Sequence, residues 1–315
     1  MKTLAIISLI WLLNLLQCSG QSFSGLPIID MHVHVYSTKS YKGGTELKLK
    51  DTILSSPKNN VDHIRVVLEQ MKKYNIVISY ASGDFESLDS LNKQYPGKFF
   101  PSCEIGASQI TNNNFINRLN TKIKNGEVQG IGEVICALAG IPPNDPVMDT
   151  LYKIAEVNYL PIGIHLGLYP SLRNPNVRLE QSNPLLLQDV LRKFPKIRMN
   201  VMHAGMTLYP DELLAMFMYF PNLYADISSL TWYNDLVKES LKDFLIKTMR
   251  CGFGDRIMFG SDEMTWPSSI GLAIDYINNA VFLTEKQKRD ILYNNAARYL
   301  KLSEDQIRKH HQTNK

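Results

Sequence analysis

Short apolar segments, of the kind that form strands buried on both faces, recur along the chain between longer segments of helical period. The strand candidates are residues 27–35, 76–81, 99–105, 128–134, 161–166, 198–203, 223–227 and 256–260. Between them, Val61, Ile64, Val67, Leu68 and Met71 share one helical stripe. Phe115, Ile116, Leu119 and Ile123 form another, which Asn125-Gly126 ends. Leu151, Ile154, Ala155 and Asn158 continue the pattern. Pro184 opens a helix over 185–194 that stops at Pro195, and 211–220 stops at Pro221. Helices over 235–249 and 268–281 follow, and Thr284 with Gln287 makes a capping box for the last one.

Eight strand–helix alternations require right-handed crossovers and a parallel sheet. The predicted fold is therefore α/β, a (β/α)8 TIM barrel, which needs about 250 residues. The excess length falls in the connections 36–60 and 137–146. An open doubly wound sheet is the alternative, but no Gly-rich phosphate loop follows the first strand. No linker divides the chain, so residues 21–315 are read as a single domain.

Composition narrows the class. With 44% hydrophobic and 20% charged residues in 315, the chain is neither disordered nor fibrous. A net charge of +4 without a basic stripe gives no case for a nucleic-acid partner. The N-terminus adds a compartment. Lys2, an apolar run over 4–16 and the small residues of Cys18-Ser19-Gly20 read as a secretory signal peptide of residues 1–20. The expectation is export to a periplasm or secretion, with no stable membrane span after cleavage. Lipoprotein anchoring through Cys18 is the lesser alternative, because Gln17 stands where such a box prefers a small residue. Cys103, Cys136 and Cys251 are expected as three separate buried thiols.

The chemically capable residues fall at strand ends. His32-Val33-His34 closes the first strand, where side chains two apart share a face and can grip one ion. Alone the motif is weak, arising by chance roughly 0.15 times in such a chain. Glu133 closes the fourth strand, His165 the fifth and His203 the sixth, and Asp262 follows the eighth. In a barrel these ends converge on one mouth. Four imidazoles and two carboxylates would be costly to bury there unpaired, and a divalent cation resolves the cost. Asp262 as a loop cap and Glu133 as a salt-bridge partner are the individual alternatives. His63 is read as structural, and His310 and His311 as a solvated, frayed tail. Tyr36, Tyr169, Arg173, Arg178, Trp232, Tyr233 and Trp266 follow strands and are candidates for the mouth, with Arg173 or Arg178 able to grip a carboxylate or phosphate.

These motifs together resemble the amidohydrolase superfamily, most closely its amidohydrolase-related ("amidohydrolase 2") branch. The likeness includes Ile29-Asp30-Met31-His32-Val33-His34, Asn183-Pro184 through Lys193-Phe194-Pro195 to His203-Ala204-Gly205, Phe259-Gly260-Ser261-Asp262 and Asn294-Asn295-Ala296. The resemblance implies that His32, His34 and Asp262 bind a first metal, that Glu133 bridges, and that His165 and His203 bind a second. Residues 130–134 also look like the matching segment of TatD-type nucleases, whose site is dinuclear. Many members of the branch use one metal; His165 would then join the first set and His203 would touch substrate. Zn²⁺ is the expected ion, lowering the pKa of its water to about 7. Asp262 would take the water proton and return it to the leaving group, and His203 or a second metal would polarise the scissile oxygen. The implied function is metal-dependent hydrolysis of an ester, lactone, amide or phosphoester in a small molecule. Metal-dependent decarboxylation or hydration of a small carboxylic acid is the alternative, and a non-catalytic binding barrel is the reading from another class.

Overall fold

The computed structural model describes residues 25–167, 177–206 and 208–312. The segment 1–20, Tyr169 and Arg173 lie outside them. In chain order the strands are β1 (Ile28–Val35), β2 (Glu46–Lys48), β3 (Ile53–Ser55), β4 (Ile76–Gly83) and β5 (Phe99–Ile105). They continue with β6 (Gly130–Val134), β7 (Pro161–His165), β8 (Arg198–Met202), β9 (Leu223–Asp226) and β10 (Ile257–Met258). Eight of them form one sheet in the order β1-β4-β5-β6-β7-β8-β9-β10, and β2 and β3 form a separate antiparallel pair. Every neighbouring pair of the eight is parallel. Two backbone hydrogen bonds bring the ends together: Met31 N–H donates to Phe259 O at 2.9 Å and Asp262 N–H to His32 O at 2.8 Å. The result is a TIM barrel.

Burial explains why the strands lack alternation. All eight residues of β1 and all five of β6 and β7 are buried, because helices cover the outside and side chains fill the inside. A second cluster joins Ile29, Met31, Ile78, Tyr80 and Met258 to Tyr293, Ala296 and Tyr299 near the C-terminus. The Tyr299 hydroxyl donates to Ile162 O and Arg198 O, both at 3.2 Å, so the end of the chain braces β7 and β8.

Some details differ from expectation. The helix Phe85–Gln94 had not been anticipated; Asp84 caps it by accepting from Ser87 N–H, and Phe85, Leu88 and Leu91 bury its inner face. The hairpin β2–β3 occupies part of the connection read as irregular. His310 and His311 are not a frayed tail: they lie on the helix Glu304–Gln312, and the Tyr293 hydroxyl and His310 Nδ1 are 2.9 Å apart. Helix formation there turns the histidines onto an aromatic ring, which the polar composition of the segment concealed. Cys103 and Cys136 are buried, but Cys251 is exposed, because it caps the helix Asp235–Arg250 at its outer end.

Candidate metal centre

Strand alternation places His32 and His34 on one face of β1. β6 delivers Glu133, β7 ends on His165, and His203 follows β8 directly. His203, Ala204 and Gly205 have φ of 61°, 50° and 63°, and Asp262 has φ of 46°. Left-handed backbone costs a non-glycine residue about 1 kcal/mol or more, so packing must hold these turns in place. Gly132 has φ of 136°, and a Cβ there would stand 2.9 Å from Gly163 O, so only glycine allows Glu133 its position against β7.

The six residues singled out from sequence meet. Glu133 Oε1 lies 2.5 Å from His165 Nδ1 and 3.2 Å from His203 Nε2. Glu133 Oε2 lies 3.5 Å from both His32 Nε2 and His34 Nε2. Asp262 Oδ1 is 3.1 Å from His34 Nε2 and 3.7 Å from His32 Nε2. All six are buried. Donor atoms of His32, His34 and Asp262 lie within 4.8 Å of one another, as do those of His32, Glu133 and His203. His32 is common to both groups, a sharing that spacing along the chain did not suggest.

The donor set fits a divalent cation. Two ligands on tetrahedral zinc at about 2.0–2.1 Å stand roughly 3.4 Å apart. The four contacts that His32 and His34 make with Glu133 Oε2 and Asp262 Oδ1 run from 3.1 to 3.7 Å. His32 Nε2 is buried without a hydrogen-bond partner, aimed between the two carboxylates.

Protons balance the charges when no ion is bound. Burial opposes a charged His203, but its hydrogen bond to Glu133 and the charge of Asp262 push it up to about 9. Burial likewise opposes charge on His34, and Asp262 and Glu104 raise it well above the ordinary imidazole value. Burial, together with the neighbouring His203, pushes His165 down. Burial would raise Glu133, yet the charges of His32 and His165 hold it well below the usual carboxylate range. A site that collects imidazolium protons around two carboxylates has the electrostatics to exchange them for a cation.

Beyond the six, Asp226 and Ser228 stand at the end of β9 against His32 and His203, and Glu104 on β5 lies 3.5 Å from His34 Nδ1. These were missed, although Asp226 and Glu104 occupy the same strand-end position that marked the others. Above the cluster opens a cavity of about 350 Å³ whose walls include Tyr36, Glu104, Ile135, Leu138, Met264 and Trp266. Of the proposed mouth residues, Tyr36 and Trp266 are therefore in place. Trp232 is buried instead, its Nε1–H donating to Ser261 O at 2.7 Å; its bulk fits the core better than the mouth. Tyr233 lines a separate outer pocket beside Asn234 and Tyr276. Arg178 is exposed, 3.9 Å from Glu180. His63 is buried in the first turn of the helix Asn60–Lys73, its Nε2 2.9 Å from Met264 O, which is the structural role expected of it.

Comparison with known proteins agrees with this architecture. The profile of the family described as Amidohydrolase matches residues 29–302. A TIM-barrel protein from Bordetella bronchiseptica superposes with a TM-score of 0.65 at 17% identity, covering 88% of this chain and 99% of that one. A probable 2-pyrone-4,6-dicarboxylic acid hydrolase from Acinetobacter baumannii gives 0.62 at 14% identity, covering 87% and 99%. A 5-carboxyvanillate decarboxylase from Novosphingobium aromaticivorans, complexed with manganese, gives 0.61 at 11% identity, covering 89% and 97%. These likenesses are of fold. Among curated sequences, protein fluG of Emericella nidulans is 22% identical over an aligned length of 167, a match that covers 48% of this chain and 18% of that protein.

Proposed function

We propose, from the premise that the chain belongs to the amidohydrolase family, that it is a metal-dependent hydrolase of an ester, lactone, amide or phosphoester bond in a small molecule. The observation that carries this reading is Glu133, whose two oxygens face four imidazoles: His165 and His203 on one side, His32 and His34 on the other. In the proposed assignment His32, His34 and Asp262 hold one divalent ion, His165 and His203 hold a second, and Glu133 is shared.

Zinc or a similar ion there would supply a Lewis acid and a water acidified to a pKa of about 7. The protein's own groups do the rest. Asp262 turns Oδ1 toward His34 and Oδ2 toward His203, so one oxygen is available for a proton while the other stays engaged. That carboxylate accepts the proton of the attacking water and passes it to the leaving group. Where only one ion is held, His203 is the donor that polarises the scissile oxygen. Ile135, Leu138 and Trp266 give the cavity an apolar wall that orients the substrate body and limits water.

The second reading is decarboxylation of a small aromatic acid, favoured by the completeness of the His32–His34–Asp262 group for a single ion and by the fold likeness to a manganese-containing decarboxylase. A panel of esters, lactones, amides, phosphoesters and aromatic acids, run on metal-loaded protein, decides between them. Hydrolysis supports the first reading and release of carbon dioxide from an acid supports the second. Binding without turnover would leave a non-catalytic barrel.

Metal uptake carries a sign in pH. His203 holds its proton up to about 9 in the metal-free state, so an ion must expel that proton at lower pH. Apparent zinc affinity is expected to rise at least about tenfold per pH unit between about pH 6 and pH 9, then level off. Chelator competition across that range measures it, and a flat profile would remove the imidazoles from the ligand set.

Export is part of the same proposal. It rests on Lys2, the apolar run that follows and the small residues at 18–20. No helix among the described residues is long and apolar enough to cross a membrane. N-terminal sequencing of the exported protein is expected to begin at or near Gln21. Retention of Met1 in the cytoplasm would sink the proposal, and a lipid on Cys18 would move the cut while keeping export.

A further inference from the structure

We infer that Ser228, anchored by Asp226, keeps a hydrogen on Nδ1 of both His32 and His203, so that Nε2 of each ring is the nitrogen left for the metal centre. The inference rests on the metal-centre reading above, and it concerns two residues to which that reading gives no task.

The proton assignment follows from counting donors and acceptors. Asp226 Oδ1 accepts from His203 N–H at 3.1 Å and from Ser228 N–H at 3.1 Å, and Oδ2 accepts from Asn200 Nδ2 at 2.7 Å. The Ser228 hydroxyl also contacts Oδ1. A carboxylate so placed only accepts, so the single hydroxyl proton of Ser228 is committed to it. That leaves Ser228 Oγ with two lone pairs, and two nitrogens face them: His32 Nδ1 at 2.9 Å and His203 Nδ1 at 3.1 Å. Both nitrogens must therefore carry hydrogen. His203 gives an independent check, because its Nδ1 also lies 3.2 Å from the Ser228 carbonyl oxygen, which cannot donate. For His32 the check is Nε2, which has no hydrogen-bond partner and points between Glu133 and Asp262.

One hydroxyl thus serves two imidazoles delivered by different strands. Asp226, Ser228 and His32 are all 0% exposed, so solvent does not supply a replacement acceptor. Donation from Nδ1–H orients each ring and raises the basicity of its opposite nitrogen, and loss of such a partner typically weakens metal binding about 10–100-fold. Ser228 is a positioning residue here: it touches neither ion nor substrate.

The test uses zinc and the full mature chain labelled with ¹⁵N-histidine. Ring-nitrogen shifts report the tautomers directly, and chelator competition reports zinc affinity. In the parent, His32 and His203 are expected to show Nδ1–H. Ser228→Ala is expected to weaken zinc binding about 10–100-fold and to populate the other tautomer at one or both rings. Should that variant fail to fold, Ser228→Cys replaces the hydroxyl oxygen with a sulfur that is a much weaker acceptor, with the same expected outcome. Parent shifts showing an Nδ1 without hydrogen at either ring would overturn the inference. So would zinc affinity within about threefold of the parent in both variants with unchanged shifts. A parent that takes up no zinc refutes the metal centre itself, and the tautomer assignment is then judged on the shifts alone.

Discussion

The Asp262→Asn protein, fully loaded with metal, is expected to turn over its substrate at least about 10²-fold more slowly than the parent. The substitution keeps the side-chain shape and one neutral oxygen for the ion, but the amide cannot take up a proton. Position matters as much as chemistry. Asp262 adopts a left-handed backbone, its N–H is fixed by His32 O at 2.8 Å, and its Oδ1 reaches His34 Nε2 at 3.1 Å. The carboxyl is thus held at the mouth in one orientation, with charge favoured there by His32, His34 and His203 although burial opposes it. General acid–base help of this kind contributes about 10²–10⁴-fold, which sets the size of the loss. Metal content must be measured on the same sample, since loss of the ion would abolish turnover for a different reason. Near-parental turnover at full loading would assign the proton transfer to another group, with His203 the nearest candidate.

Glu133→Gln is expected to lower metal stoichiometry from about two ions per chain to about one, and activity with it. Each Glu133 oxygen faces a different histidine pair, so the carboxylate is the only side chain of the six that touches every imidazole of the cluster. A Gln amide retains one acceptor and replaces the other with a donor, which would face imidazole nitrogens that need an acceptor or an ion. Elemental analysis of protein prepared with excess zinc gives the count. One tightly bound ion in the parent, unchanged in the variant, would rule out the bridge and move the chain toward the single-ion reading.

The legibility of this site in the sequence was uneven, for identifiable reasons. His32 and His34 announce themselves because a strand repeats every two residues, so their shared face is a local property. Glu133, His165, His203 and Asp262 were found because each ends a segment of recognisable strand character, and a barrel gathers such ends. Asp226 ends a strand in the same way, and Ser228 follows two residues later, but neither forms a motif with a neighbour. The helix Phe85–Gln94 escaped notice because its apolar face is only Phe85, Leu88 and Leu91 within a polar stretch. Trp232 was placed at the mouth by position alone; its indole instead braces the backbone next to Asp262 from within the core.

The sequence by itself determined the barrel, through eight apolar segments alternating with helical ones, and it determined which six side chains converge. Both are consequences of periodicity and chain order, which local physics controls. Only the tertiary structure decided how the six are paired: that His32 belongs to both donor groups, that the two Glu133 oxygens divide the histidines, and that Asp226 and Ser228 stand behind two of the rings. Those choices depend on side-chain directions at strand ends and on the left-handed turns at His203 and Asp262. Such turns are unfavourable for the residues that adopt them and are held by contacts from strands far away in the chain, so no local pattern encodes them.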